Sequence, residues 1–487
     1  VKVVTAAQMR AIEGEALEGG ETVESLMDRA GTAVAASVRR AVSDGRIAVL
    51  AGPGKNGGDG LIAAERLRAD GRQVDVYLWK RPTAKPFLGQ AHPLETAEQI
   101  ADLESALRGS EVIIDALLGT GATRPPGDDL VAILEAVERT RDIDRYALAV
   151  DIPTGVNADT GEVPSRAFRA DETICLGLAK IGVVSYPGAG YAGSVHVAPI
   201  GLGEDRGADV RTVVPGAAAI ASLLPRRDPV SNKGSSGRLL LISGSLNYSG
   251  APALCSMAAY RIGAGLVEIG TPISAHPLVA AHVLEPVFLP LPERGGIVTL
   301  EALGAVREAL ARATACVAGP GLGLTSDSVE FVRGLIGVLA EKEVPAVLDA
   351  DALNAMSQIG EWWAGAESVV ITPHPGEMSR LTGMSIADIQ KDRLEVARIH
   401  AARWGVVVVL KGAGTVVAAP DGRAVINPTG GPNLATAGTG DVLSGTIGGL
   451  LTQGLDLFDA AVCGVYVHGK AGDLLKDEWG NVGTIAG

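Results

Sequence analysis

Short apolar runs alternate with amphipathic stretches along most of the chain. Residues 47–51, 74–79, 112–114 and 147–150 are dense in Val, Ile, Leu and Ala. They are too short for core helices and apolar on both faces, as strands inside a covered parallel sheet are. Between them, 60–70, 94–108 and 128–140 carry apolar residues at helical spacing. Residues 5–42 predict two helices broken near Gly19-Gly20. Thr5-Ala-Ala-Gln8 has capping-box spacing and opens the first helix at once, so no signal peptide is expected. Strands alternating with helices predict a parallel sheet with right-handed crossovers and ligands at the strands' carboxyl ends.

The pattern lapses over residues 201–230, where charges and prolines gather as in Pro225-Arg226-Arg227-Asp228-Pro229. It resumes with expected strands at 239–243, 316–318, 346–348, 369–371 and 406–410. The expected organisation is therefore α/β, two doubly wound domains: 1–212, a linker at 213–230, and 231–487. Ala51-Gly-Pro-Gly54 and Ala318-Gly-Pro-Gly321 echo each other as shared strand-end chemistry, not as a repeat. The abrupt end at Gly487 leaves a further element after it open.

Composition narrows the partners. Hydrophobic residues make up 47% and charged residues 20% of the 487, a globular balance. Aromatics are only 3%, so Ala, Val, Ile and Leu must build the cores. A net charge of −14 argues against a nucleic-acid partner held through phosphates, though local N–H groups still bind small anions. Cys175, Cys255, Cys316 and Cys463 lie far apart with no C-x-x-C pair. They read as reduced core residues of a cytoplasmic protein. No run approaches a membrane span.

The front-half chemistry sits at strand ends. Gly52-Pro-Gly-Lys55-Asn56-Gly57 fits G-x-G-x-x-G between strand and helix, with an acid following at Asp75. Asn56-Gly57-Gly58-Asp59-Gly60 changes that reading, because a phosphate loop has no use for a carboxylate so close. Amide and carboxylate oxygens suit a monovalent cation or a ribose hydroxyl. Val112-Ile-Ile-Asp115 leads into Gly119-Thr-Gly121, and Val150-Asp151 into Ile-Pro-Thr154. Parallel strands would bring Asn56, Asp115, Asp151 and Thr154 to one edge; helix capping would explain one strand-end Asp, but two such ends together with the Asn-Gly-Gly-Asp loop weigh against capping alone.

These three motifs together resemble the NAD(P)H-hydrate epimerase domain, over about residues 1–210. The resemblance implies a Rossmann-like α/β/α sandwich. It implies potassium at Asn56, Asp115 and Thr154. It implies hydrate contacts at Lys55, Asn56, Gly57, Gly58 and Asp59, at Gly119, Thr120, Gly121, Ala122, Thr123, Arg124 and Pro125, and at Asp151. Asp151 is the expected acid–base residue. Lys55 stands where many relatives carry a second Asn, which leaves its role open between a hydrate and a phosphate contact.

In the back half, Asn433-Leu-Ala-Thr-Ala-Gly438-Thr-Gly440-Asp441 leads into an apolar helix. Small residues there aim N–H groups outward at a helix N-terminus, an anion hole with Asp441 beside it as general base. Val409-Leu-Lys411-Gly412-Ala413-Gly414-Thr415 and the absence of G-x-x-x-x-G-K-[ST] resemble the ribokinase-like superfamily rather than a P-loop enzyme. Within it, Tyr248-Ser-Gly-Ala-Pro-Ala253, Ala318-Gly-Pro-Gly321-Leu-Gly323, Leu348-Asp-Ala-Asp-Ala-Leu-Asn354 and Thr372-Pro-His374-Pro-Gly-Glu377 are similar to the ADP/ATP-dependent NAD(P)H-hydrate dehydratases, over about 225–487. This implies hydrate contacts at Ala253, Gly321, His374 and Asp441, and nucleotide contacts at Lys411, Gly412, Ala413, Gly414, Thr415 and Gly440. Asp349 and Asp351 follow a strand and would either organise Mg²⁺ through water or brace loops. Lys233 is a phosphate contact or a solvated lysine.

The implied function is repair of hydrated NADH and NADPH, by epimerising the hydrates and by ADP- or ATP-dependent dehydration of the S epimer, in a homo-oligomer without nucleic acid or membrane. Three alternatives stay open: a vitamin-precursor kinase with an accessory domain, a non-catalytic front module, and an ordinary NAD dehydrogenase.

Overall fold

The computed structural model describes residues 1–487 except 123, 142–144, 204–206, 231–233 and 235. The chain divides into two compact units, Val1–Val213 and Val214–Gly487. The stretch expected as a linker contributes the short helix Ala217–Leu223 to the second unit.

In the front unit a parallel sheet runs edge to edge through Gln90–Pro93, Val74–Leu78, Ile47–Ala51, Val112–Ala116, Tyr146–Val150, Glu172–Leu176 and Ser194–Ala198. Its side chains alternate between two cores. Ile47, Val49 and Ala51 join the core shared with Met9, Val34 and Leu61. Ala48 and Leu50 join that of Leu103 and Ile133. Burial on both faces explains why these strands read as unbroken apolar runs.

The expected helices at 94–108 and 128–140 are Ala97–Leu107 and Asp128–Arg139. The helix expected at 60–70 is Lys55–Ala69, so Asn-Gly-Gly-Asp forms its first turns instead of a loop. Three strands carried no clear sequence signal. Gln90–Pro93 is a largely exposed edge strand, Ser194–Ala198 a partly exposed one, and Glu172–Leu176 opens on a carboxylate. Buried Glu172 is offset by Ser37 Oγ at 2.7 Å and Arg40 at 2.7 Å.

The back sheet runs Ala424–Ile426, Val416–Ala418, Val407–Leu410, Val369–Ile371, Ala346–Leu348, Ala315–Ala318, Arg238–Ile242, Leu266–Pro272 and Val287–Leu291. It is parallel except at the hairpin, where Val416–Ala418 pairs antiparallel with both neighbours. The hairpin, Leu266–Pro272 and Val287–Leu291 went unread in the sequence. The helix Thr439–Thr452 is buried almost all round, and glycine lets it lie close to its neighbours. A Cβ on Gly445 would fall 2.1 Å from Cys255 O, one on Gly448 2.3 Å from Val317 Cγ2, and one on Gly449 2.4 Å from Ile262 Cγ2.

All four cysteines are buried and free of disulfides. Among the described residues no helix is long and apolar enough to cross a membrane.

Candidate active sites

In the front unit the carboxyl ends of the strands open into a cavity of about 440 Å³. Lys55, Asn56, Asp59, Gly119, Thr120, Gly121, Ala122 and Asp151 all line it. Gly57 and Gly58 serve packing instead. A Cβ on Gly57 would meet Gly52 O at 2.0 Å, and one on Gly58 would meet Met27 Cε at 2.2 Å. Neither takes a left-handed φ, so these glycines are demanded by close approach and not by turn geometry. Arg124 and Pro125 are exposed and not among the lining residues. Thr123 lies outside the described residues.

Asp115 and Thr154 sit beneath the cavity wall rather than in it. The Thr154 amide and hydroxyl both donate to Asp115, each at 2.7 Å, and Leu117 N–H donates at 3.1 Å. Burial nonetheless pushes this carboxyl up to about 6, against those hydrogen bonds. Leu118 N–H donates to Thr154 Oγ1 at 3.0 Å, and Asn56 Nδ2 donates to Leu118 O at 2.8 Å. Asn56, Leu118, Thr154 and Asp115 are thus one linked group. The buried Asn56 Oδ1 within it has no hydrogen-bond partner.

Asp151 lines the cavity from a left-handed backbone, φ 67°, rare for a residue with a Cβ. Its Oδ1 accepts from Leu176 N–H at 3.0 Å and from the ammonium of Lys180. Lys180 is 1% exposed and also donates to Leu176 O at 3.0 Å. Sequence reasoning missed it. The available signal was one lysine stranded among apolar residues, Leu178-Ala-Lys-Ile-Gly-Val-Val184.

Asp75 is placed against the dinucleotide fingerprint. It is the second residue of its strand, bound to Arg46 at 2.7 Å and beside His92 at 3.6 Å. It therefore lies toward the amino end of the sheet, away from the cavity edge, and cannot serve as the ribose acid of that motif.

In the back unit the corresponding edge gathers polar groups from four elements. Lys411, just past Val407–Leu410, reaches Asp349 at 2.8 Å and Glu377 at 3.8 Å. Asp349, just past Ala346–Leu348, also accepts from Ser444 Oγ at 2.7 Å. A Cβ on Gly440 would lie 3.5 Å from Lys411 Nζ and 3.8 Å from Asp349 Oδ2, which fixes the helix start beside that ion pair. Burial works against the charge on both partners, but their mutual attraction outweighs it. Lys411 is held above its ordinary value and Asp349 below its own. Asp441 is pushed up to about 6 by burial and then by Asp349, with Lys411 opposing.

The ammonium of Lys411 thus faces the helix start and the acids, rather than pointing out along the 411–415 turn as a base contact would. Gly412 and Ala413 of that turn are exposed, and it closes on itself: Thr415 Oγ1 donates to Gly412 O at 2.9 Å. Gly412, φ 146°, packs against the buried Arg393 guanidinium, where a Cβ would meet Nη2 at 2.9 Å.

His374 caps the helix Pro375–Thr382. Its Nδ1 accepts from Gly376 N–H at 3.0 Å and Glu377 N–H at 3.3 Å, which leaves the proton on Nε2. Burial and then Lys411 lower its basicity, so the ring is neutral. Glu377 completes the capping box through His374 N–H at 2.8 Å, and burial pushes it up to about 7. Gly321 packs on Tyr248 Cβ and Ala251, two residues before the buried Ala253. Asp351 braces loops, accepting from Gly323 N–H at 2.8 Å and Asn354 Nδ2 at 3.2 Å. Lys233 lies outside the described residues. Glu377 closes a string that marks the site in the sequence but had no role assigned to it, and Ser444 and Arg393 had none either.

Known proteins match both units. Residues 239–486 match the family described as NAD(P)H-hydrate dehydratase, and 23–182 the YjeF-related protein N-terminus. The chain is 38% identical to a bifunctional NAD(P)H-hydrate repair enzyme of Moorella thermoacetica, over 95% of this chain and 90% of that protein. It is 36% identical to the one of Escherichia coli K12, over 96% and 88%. Among solved structures, an ADP/ATP-dependent NAD(P)H-hydrate dehydratase from Bacillus subtilis is 34% identical, covering 56% of this chain and 94% of that one with a TM-score of 0.47.

Proposed function

The chain belongs to the bifunctional NAD(P)H-hydrate repair enzymes, which return hydrated NADH and NADPH to use, and from that premise we propose how its two sites divide the work. The front cavity interconverts the R and S hydrates, with Asp151 exchanging protons at the ring. The back site dehydrates the S hydrate, with Asp441 as base and ADP or ATP as the phosphoryl source; with ADP the products are AMP and phosphate. The observation that carries this is Asp441 at a glycine-lined helix start, set beside the Lys411–Asp349 pair.

The chemistry follows from leaving groups. Hydroxide leaves poorly, since water has a pKa of about 15.7. Phosphate, with a second pKa of about 6, leaves readily. Asp441 takes the hydroxyl proton. The N–H groups at 438–440 and the Lys411 ammonium stabilise the transferring phosphoryl group. The ring nitrogen's lone pair then expels phosphate, leaving an N1=C6 iminium, and loss of a proton from C5 to the departing phosphate or to water restores the dihydropyridine. The residues 411–415 and Gly440 hold the nucleotide, and Ala253, Gly321 and the Nε2–H of His374 meet the hydrate. A dehydratase that accepts one epimer needs the other returned to it, which gives both units a reason to share a chain.

The unpartnered Asn56 Oδ1 and the buried Asp115 carboxylate fit a potassium ion, with Thr154 as the third residue. Bound there, the ion would neutralise Asp115 and supply the cation that this group lacks. Asp349 and Asp351 are already engaged and do not form a magnesium cage. Magnesium would come with the nucleotide's phosphates. The four unbridged buried cysteines suit a reducing compartment such as the cytoplasm. Self-association, as in a homo-oligomer, is measurable by sedimentation.

Incubating the protein with hydrated NADH and ADP tests the back site. Absorbance of NADH should return with release of AMP. A stable phosphorylated hydrate and no regained absorbance would instead mean a kinase.

A further inference from the structure

The front cavity presents two buried carboxyl groups in unlike surroundings. Asp151 is ion-paired with the buried Lys180 and takes a further hydrogen bond from Leu176 N–H. Asp59, in the second turn of Lys55–Ala69, is 6% exposed, and its Oδ1 has no hydrogen-bond partner. The two cations that act on it, Lys55 and Arg81, are engaged elsewhere. Lys55 lies 3.9 Å from Glu13, and Arg81 donates to the carbonyls of Gly52 at 2.8 Å and Gly54 at 2.9 Å. Apolar side chains, among them Leu17, Leu26, Met27, Leu118 and Ile200, complete the walls.

We propose that Asp59 is the proton donor of the front site, working with Asp151 as the acceptor. This rests on the epimerase reading of the front unit. The charges facing Asp59 come from every element around it: Asp151 after its strand, Glu13 on Ala6–Glu18, Lys55 on its own helix, and Arg81 after Val74–Leu78. Burial, Asp151 and Glu13 outweigh Lys55 and Arg81 and push Asp59 up to about 8, so it carries a proton at neutral pH. A protonated carboxyl group sharing a cavity with a carboxylate held by a buried ammonium makes an acid–base pair.

The reaction needs both. C6 of the hydrated ring bears a hydroxyl and is bonded to N1, which makes it a hemiaminal. Asp151 takes the hydroxyl proton, and the O–H electron pair becomes the second bond of C6=O. The C6–N1 bond breaks with its pair on N1, and N1 takes the proton of Asp59. Rotation about C5–C6 presents the other face of the carbonyl. N1 then attacks C6, the oxygen recovers its proton from Asp151, and N1 returns the other to Asp59. No atom is gained or lost, and both carboxyl groups end as they began. The apolar walls keep water from the open aldehyde.

The test follows conversion of the pure R hydrate by the full-length chain from pH 5 to 10. Wild type should lose rate above about pH 8, as Asp59 gives up its proton. Asp59→Asn should be slower by about 100-fold or more, with no alkaline limb in what remains. Asp59→Glu should retain more activity than Asp59→Asn. Thermal melts of the same samples, compared with wild type, report whether the front unit is folded. An Asp59→Asn rate within about tenfold of wild type, or an alkaline limb that persists in it, overturns the proposal. Should that variant fail to fold, the wild-type profile decides: a limb near pH 8 supports Asp59, and a rate level to pH 10 overturns it. A wild-type chain that never epimerises would instead remove the epimerase reading itself.

Discussion

Asp441 and Lys180 show how much one side chain carries. As the proposed base, Asp441 must be ionised to work, and burial with Asp349 pushes it up to about 6. Dehydration at saturating substrate should therefore fall as pH drops through about 6 and level off above it, read as a pH–rate profile. Lys180 holds Asp151 from a position of full burial. Lys180→Met leaves an uncompensated carboxylate and should cost about 3–5 kcal/mol in a denaturant melt, together with most of the epimerisation. The two residues differ in legibility. Asp441 stands in a local string whose glycines announce an anion hole. Lys180 meets its partner across 29 positions, a pairing that only the fold creates. Asp115 was legible as a strand-end oxygen, but its place under the wall depends on hydrogen bonds from Thr154 that no spacing rule foretells.

At the level of elements, the helix Thr439–Thr452 positions Asp441 through glycines that admit no side chain. Gly445→Ala would drive a methyl to 2.1 Å from Cys255 O. It should cost about 1–3 kcal/mol, measured by thermal unfolding, and slow dehydration by displacing Asp441. Apolar runs covered on both faces, such as Ile47–Ala51 and Val112–Ala116, were readable because burial leaves no polar position to confuse the pattern. Gln90–Pro93 was not, since an exposed edge strand is held by backbone pairing to Val74–Leu78 and not by its side chains. The start of Lys55–Ala69 was misplaced for a related reason. Glycine and asparagine weigh against helix, yet close contact with Gly52 and Met27 outweighs that propensity.

For the molecule as a whole, two compact units each carry a site on the carboxyl edge of their own sheet. Asp441→Ala should abolish dehydration and leave epimerisation intact, and Asp151→Ala should do the reverse. Assays of both reactions on each purified variant check this, and loss of both in either folded variant would mean the sites are coupled. The apolar strands expected from alternation are present in both sheets, whereas the polar and exposed strands, the back hairpin and the residues that hold the acids in place came only from the fold. One further consequence lies in the Arg46–Asp75 pair. Dinucleotide folds that favour the unphosphorylated coenzyme keep an acid at the end of the second strand, where it binds the ribose 2′-hydroxyl and repels a 2′-phosphate. Here that acid is tied up toward the opposite end of its strand, and Lys80 and Arg81 follow the strand instead. The front unit should therefore be blind to the adenosine ribose, turning over the phosphorylated and unphosphorylated hydrates at rates within about tenfold of each other.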